Sequence, residues 1–160
     1  MTLAQSIKRG FTLIELLVVI GILAILLAIT LIAINPARQF QQANDTKRLS
    51  DINTILNAVG QYSADNAGQL PGNILTTAAD VGTDGTTGAA LCTDLVPTYI
   101  QGLPTDPTGT AAGVPVTQTG SPLACPATYA TGYTIVRDAN GRVTVSAPNA
   151  QLNTPMSVTR

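Results

Sequence analysis

The chain has 160 residues, with 8 Lys+Arg against 9 Asp+Glu, two cysteines, no histidine and no tryptophan. This balance offers no basic surface for neutralising phosphates, so direct nucleic-acid binding is not expected. With no imidazole and a single glutamate, Glu15, the usual acid–base pairs, zinc ligand sets and Ser-His or Cys-His arrangements cannot be assembled, and the chain reads as a non-enzyme with no cofactor and no metal.

Met1 to Gly10 is short and basic, and Phe11 to Ile34 is a nearly unbroken apolar run. At about 1.5 Å per helical residue the run reaches roughly 36 Å, enough to cross a hydrocarbon core of about 30 Å. A cleaved secretory signal has a shorter apolar region and a small-x-small cleavage site. No Ala-x-Ala occurs between Phe11 and Pro36 and no cysteine precedes Cys92, so the apolar segment is expected to stay attached. Glu15 lies near one end of this span. An acidic residue costs less there than at the centre, and the helix N-terminus favours its charge.

Lys8-Arg9-Gly10, then Phe11, then Glu15 at the opening of an apolar helix resembles the leader and processing site of type IV prepilins and type II secretion pseudopilins. The resemblance implies cutting by a prepilin peptidase between Gly10 and Phe11 and methylation of the new amino terminus at Phe11. It also implies that Glu15 sets subunit register, by meeting the ammonium group of Phe11 on a neighbour in a filament. That contact compensates a charge that lipid and apolar side chains leave unpaired. Removing Lys8 and Arg9 with the leader leaves six basic against nine acidic side chains, a mildly acidic mature chain. Arg38, Lys47 and Arg48 flank the span on the other side, so orientation rests more on the leader and the cysteines than on the positive-inside rule.

Asn35-Pro36 reads in two ways: an N-cap with proline at the first position of a second helix, or a kink in one continuous helix. The resemblance favours a kink or local melting. Gly21 and Pro36 are then the candidate points of helix flexibility, although Gly21 equally suits close helix packing. From Ala37 to Tyr62 the apolar residues Phe40, Ala43, Leu49, Ile52, Ile55, Leu56, Val59 and Tyr62 recur at spacings of three and four, apart from one gap of six. They predict the covered face of an amphipathic helix, with Gln41, Gln42, Asp45, Lys47, Arg48 and Asp51 on the other face. Asp65-Asn66-Ala67-Gly68 with Pro71 beyond predicts its end.

Residues 76–90 and 105–122 are rich in Thr, Gly, Ala and Pro without periodicity, and they predict surface loops. Between them, Leu95, Pro97, Tyr99-Ile100, Leu103-Pro104 and Asp106-Pro107 resemble a segment that follows the long helix in many pseudopilins and small pilins. It reads as a short helix or turn docking Leu95, Val96, Tyr99, Ile100 and Leu103, stopped by the prolines. Tyr133 to Arg137 and Arg142 to Ser146 flank Asn140-Gly141, a strong hairpin signal. A third strand can come from residues 151–158, with Pro155 confining it to an edge, or from residues 125–129. Major secretion pseudopilins bind calcium in a loop after an Asp-Pro segment. Asp106-Pro107 resembles its start, but the acid-rich continuation that supplies further oxygen ligands is missing.

The expected fold is α+β: a long N-terminal helix, membrane-spanning in its first half and amphipathic in its second, packed on a small antiparallel sheet with long loops. Its divisions are a leader over 1–10, a span or filament core over 11–34, an amphipathic helix over 35–64 and a head over 65–160. Because the family's heads lie outside the cytoplasm, the resemblance implies a disulfide between Cys92 and Cys125, which contributes roughly 3.5 to 4 kcal/mol by the chain-entropy model. It further implies a single-pass inner-membrane protein that assembles with its own copies into an extracellular or periplasmic filament. Its partners are then prepilin peptidase, an inner-membrane assembly platform and, before assembly, membrane lipid. The alternative is a membrane-tethered surface binding module that does not polymerise, with specificity carried by residues 76–90 and 105–122.

Overall fold

A computed structural model of the chain describes residues 10–72, 74–83, 91–109, 113–120 and 124–160. Residues 1–9, within the expected leader, and parts of both Thr/Gly-rich tracts, 84–90, 110–112 and 121–123, lie outside the described residues. The chain divides into two compact units, Met1–Gln39 and Phe40–Arg160.

The first unit is built on helix α1 (Leu13–Ile34), 22 residues of Leu, Ile, Val and Ala with one charge, Glu15. All of its residues are exposed, and it is long and apolar enough to cross a membrane, at about 33 Å. It stops at Asn35, whose φ of 45° and ψ of 75° are left-handed, a conformation asparagine tolerates better than most residues. Helix α2 (Pro36–Asp65) then starts afresh. The Asn35 carbonyl accepts from the Arg38 N–H at 3.1 Å, its side-chain Oδ1 accepts from the same N–H at 3.4 Å, and Pro36 fills a first position that needs no N–H. The helix is thus interrupted at the single residue Asn35, which ends α1 and also accepts from the first turn of α2, as the N-cap reading expects.

In the second unit, α2 runs on to Asp65 and ends where Ala67 and Gly68 both take positive φ, the Gly68 N–H donating to Ser63 O at 2.8 Å. A four-stranded antiparallel sheet follows in the order β1 (Ala79–Gly82), β2 (Ala130–Arg137), β3 (Val143–Ala147) and β4 (Met156–Thr159). Alternation puts Thr131, Tyr133 and Ile135 of β2 and Val143, Val145 and Ala147 of β3 on the buried face. There Tyr133, Ile135, Val143, Val145 and Ala147 share one core with Ile52, Ile55, Leu56 and Val59 of α2 and with Leu91, Leu95 and Leu103. The short helix α3 (Cys92–Leu95) supplies Cys92 and Leu95, while Tyr99 and Ile100 pack at the edge. A sheet with one face on a helix is the α+β class read from the sequence.

Three expectations are corrected. The tract 76–90 contains strand β1, whose Ala79, Val81 and Gly82 are buried. Pairing with β2, not local propensity, makes it a strand. The tract 105–122 is not all surface. Thr105 and Asp106 are 2% and 1% exposed, and Leu103 and Val116 exchange two backbone hydrogen bonds of 2.8 Å. The faces of α2 also differ from expectation. Phe40, Ala43 and Leu49 are exposed, whereas Asp45, Arg48 and Asp51 are buried, because the sheet side offers these charges fixed partners. The β2–β3 hairpin forms, but only Gly141 in its turn takes positive φ. Asp138 organises that turn by accepting from the Asn140 and Arg142 N–H groups at 2.9 and 2.8 Å. The third strand comes from the C-terminal stretch, with Pro155 just outside β4.

Candidate functional site

Gly10 and Phe11 are exposed, non-helical residues just before α1. Thr12, in extended conformation, is the N-cap of α1, and Glu15 is its third helical residue. The two close a capping box: the Glu15 N–H donates to Thr12 Oγ1 at 3.3 Å, while Glu15 Oε2 accepts from the Thr12 N–H at 2.9 Å and the Thr12 hydroxyl at 2.8 Å. The one acidic side chain of α1 is thereby tied to its own helix start, where the dipole also favours it. Glu15 Oε1 accepts no hydrogen bond among the described residues. Phe11, Ile14, Glu15, Val18 and Val19 border one shallow hollow, so the carboxylate and the first aromatic ring share a side of the segment. Gly21 faces open space, with nothing within 4 Å of where a Cβ would stand.

The head holds a second constellation, which the sequence reading placed on the solvent side. Arg48 is fully buried and uses every edge of its guanidinium. Nε and Nη2 donate to the two oxygens of Asp106 at 2.8 and 3.1 Å, Nη1 donates to Asp45 at 2.8 Å, and Nη2 also reaches Thr108 Oγ1 at 2.6 Å. Asp106 Oδ1 accepts in addition from the Thr108 N–H and hydroxyl, each at 2.8 Å. Beside it, Tyr133 donates its hydroxyl to Asp51 at 2.8 Å, and Asp51 also pairs with Lys47. The close approach depends on Gly132, at φ 81°, where an added Cβ would stand 2.8 Å from the Asp106 Cβ.

Electrostatics follow from these contacts. Burial alone raises the Asp106 carboxyl, but Arg48 and the two Thr108 donors outweigh it and hold the group below the usual carboxylate range. Burial likewise opposes ionisation of Asp45, and the N–H groups of Gln151, Leu152 and Asn153 with Arg48 reverse it, so this carboxyl too is held low. Asp106 and Asp45 in turn raise Arg48, and burial with the Asp51 bond pushes the Tyr133 phenol strongly up. With its carboxylate committed to a guanidinium, Asp106 is an ion-pair partner rather than a cation ligand. Among the described residues no cluster of three or more His, Cys, Asp or Glu could hold a metal ion.

The sulfurs of Cys92 and Cys125 are bonded, with Cα atoms 6.0 Å apart, which ties α3 to the loop before β2. Tyr129 caps the same region, its hydroxyl accepting from the Cys92 N–H at 3.1 Å. The sequence-derived residues therefore fall into separate groups. Gly10, Phe11 and Glu15 lie within one hexapeptide, Cys92 and Cys125 are joined, and Gly21 and Pro36 stand apart along the helices. The burial of Asp45, Arg48 and Asp106 as one cluster was missed. For Asp45 and Arg48 the signal was the gap of six between Ala43 and Leu49, where these two charged residues continue the stripe of Ile52, Ile55 and Val59 at spacings of three and four.

Comparison with known families bears on the first group. Residues 6–31 match the prokaryotic N-terminal methylation motif, across Gly10, Phe11, Glu15 and most of α1. No curated protein and no solved structure gives a significant match to the chain. The matched motif is a structural and processing feature, not an enzyme signature, and the apolar α1 within it fits a membrane-anchored protein with an exposed head. The chain thus carries, over residues 6–31, the methylation motif that is the hallmark of type IV pilins and pseudopilins.

Proposed function

We propose that this chain is the structural subunit of a type IV pilus or of a related secretion or competence filament. The observation that carries the reading is the methylation motif at residues 6–31, laid over a capped apolar helix that buries nothing within its own chain. In this reading prepilin peptidase cuts between Gly10 and Phe11 and the Phe11 amine is methylated. The subunit waits in the inner membrane with its head outside the cytoplasm, and the assembly platform extracts it into a filament of identical copies. α1 then exchanges lipid for the helices of neighbours, as its uniformly apolar surface allows.

Glu15 has a definite part in this. Thr12 occupies Oε2, and Oε1 is left to receive the Phe11 ammonium of an adjacent subunit. A charge-assisted contact in a dry core is worth far more than in water and fixes axial register. Gly21 and Pro36 are the places where the helices yield during extraction.

Sequencing the amino terminus of the membrane-extracted protein tests the reading. Cells with an active peptidase should yield a chain starting at methylated Phe11, and cells lacking it a chain starting at Met1. An intact Met1 in the presence of the peptidase would overturn the proposal. So would normal filaments from Glu15→Ala, a change that should leave the stability of the head untouched.

A further inference from the structure

Between β3 and β4, Ala150 is buried in the core, and the residues after it are hydrogen-bonded through a single side chain. Gln151 to Pro155 are all exposed and belong to neither helix nor strand. Among the described residues their only hydrogen bonds run from three successive backbone N–H groups to one carboxylate on α2. Gln151 donates to Asp45 Oδ1 at 3.0 Å, Leu152 to Oδ2 at 2.7 Å and Asn153 to Oδ2 at 3.3 Å, with a longer Gln151 contact to Oδ2. We propose that Asp45 is an acid-released latch: ionised, it holds residues 151–153 on α2, and protonated, it lets them detach while the sheet stays folded.

The chemistry of the carboxylate supports both halves. Every group facing Asp45 is a donor: three N–H groups and Arg48 Nη1. A protonated carboxyl loses acceptor capacity and turns an O–H toward donors that cannot receive it. No titratable residue lies in 148–155. On α2 the charged neighbour is Arg48, behind which stands Asp106, while Lys47 and Tyr133 are both engaged by Asp51. When Asp45 is neutralised while Asp106 is still ionised, Arg48 keeps its two bonds to Asp106, so the ion pair that joins α2 to the loop survives. β4 remains laddered to β3, and Arg160 remains paired with Val143. Opening is therefore local, the low-stability end of the range that folded domains span. The donors favour the ionised form, so release falls below the ordinary aspartate range and not near neutrality. The inference is independent of the filament reading, since it concerns the head alone.

Amide spectra of the full-length, isotope-labelled chain in detergent micelles, followed from neutral pH into acid, test it. The amides of Gln151, Leu152 and Asn153 should keep hydrogen-bonded shifts into the acid range, then move together to free positions while those of Ile135 and Val145 hold theirs. Asp45→Ala should show the freed positions at neutral pH with no further step in acid. Should that variant not fold, the wild-type titration decides alone. The latch is overturned if the three amides move only when the Ile135 and Val145 signals collapse, or if Asp45→Ala retains their wild-type shifts.

Discussion

The two helices handle charge in opposite ways. α1 carries one ionisable side chain in 22 residues, satisfies it within three residues of sequence through Thr12, and buries nothing. α2 carries many, and folding draws Asp45, Arg48 and Asp51 inside, where Arg48 finds a partner 58 residues away. The difference teaches that polarity alone does not assign a helix face. An apolar helix can be wholly uncovered when its solvent is lipid or another subunit, and a charged stripe can be wholly covered when fixed partners await it.

The sharpest way to break this contrast is to remove the buried cation. Arg48→Met leaves Asp45 and Asp106 without their counter-charge and should cost on the order of 3 to 5 kcal/mol in denaturant unfolding of the head. Glu15→Ala in α1 should leave the same transition in place. Acid probes the contrast without mutation. Asp45 and Asp106 are both held below the ordinary aspartate value of about 3.9, so their contribution is complete above that pH and drains away as pH falls through the lower folded values. Head stability should therefore fall only in strong acid and stay flat near neutrality, and a midpoint of loss near pH 6 would refute the assignment.

A smaller effect is expected at Gly132, where positive φ and the Asp106 Cβ leave no room for a methyl group. Gly132→Ala should destabilise the head by about 1 to 3 kcal/mol, and Arg48→Met should lose part of its own cost in that background, because the ion pair is already displaced. The smallest effect belongs to Phe40, 71% exposed on α2. Phe40→Ser should change head stability by no more than about 0.5 kcal/mol, whereas a core residue of the same helix such as Ile55, truncated to Ala, should cost about 2 to 5 kcal/mol.

Much of this was legible in the sequence, for physical reasons. The α1 run announces itself by length and hydropathy, and the β2–β3 hairpin by alternation around Asn140-Gly141, because both signals are local. Strand β1 was not legible. Ala79-Asp80-Val81-Gly82 has little β propensity and pairs only because β2 is already in place. The Arg48 cluster was hidden for a related reason. Its residues show helical spacing, yet charge assigned them to solvent, and nothing local reveals that Asp106 and the N–H groups of 151–153 will close on them. Of the methylation motif, Gly10, Phe11 and Glu15 were legible in the sequence, whereas the role of Thr12 in occupying one Glu15 oxygen emerged only from geometry.

The outer strands of the sheet carry a consequence for crowding. β1 and β4 have four residues each, β1 is interrupted by a register shift and presents exposed Asp80, and Pro155 closes the approach to β4. Short, irregular, charged or proline-bounded edges are poor templates for strand addition. Wherever many copies of this chain are held side by side, their heads can stay crowded without zipping into a common sheet, and order among them is left to the helices.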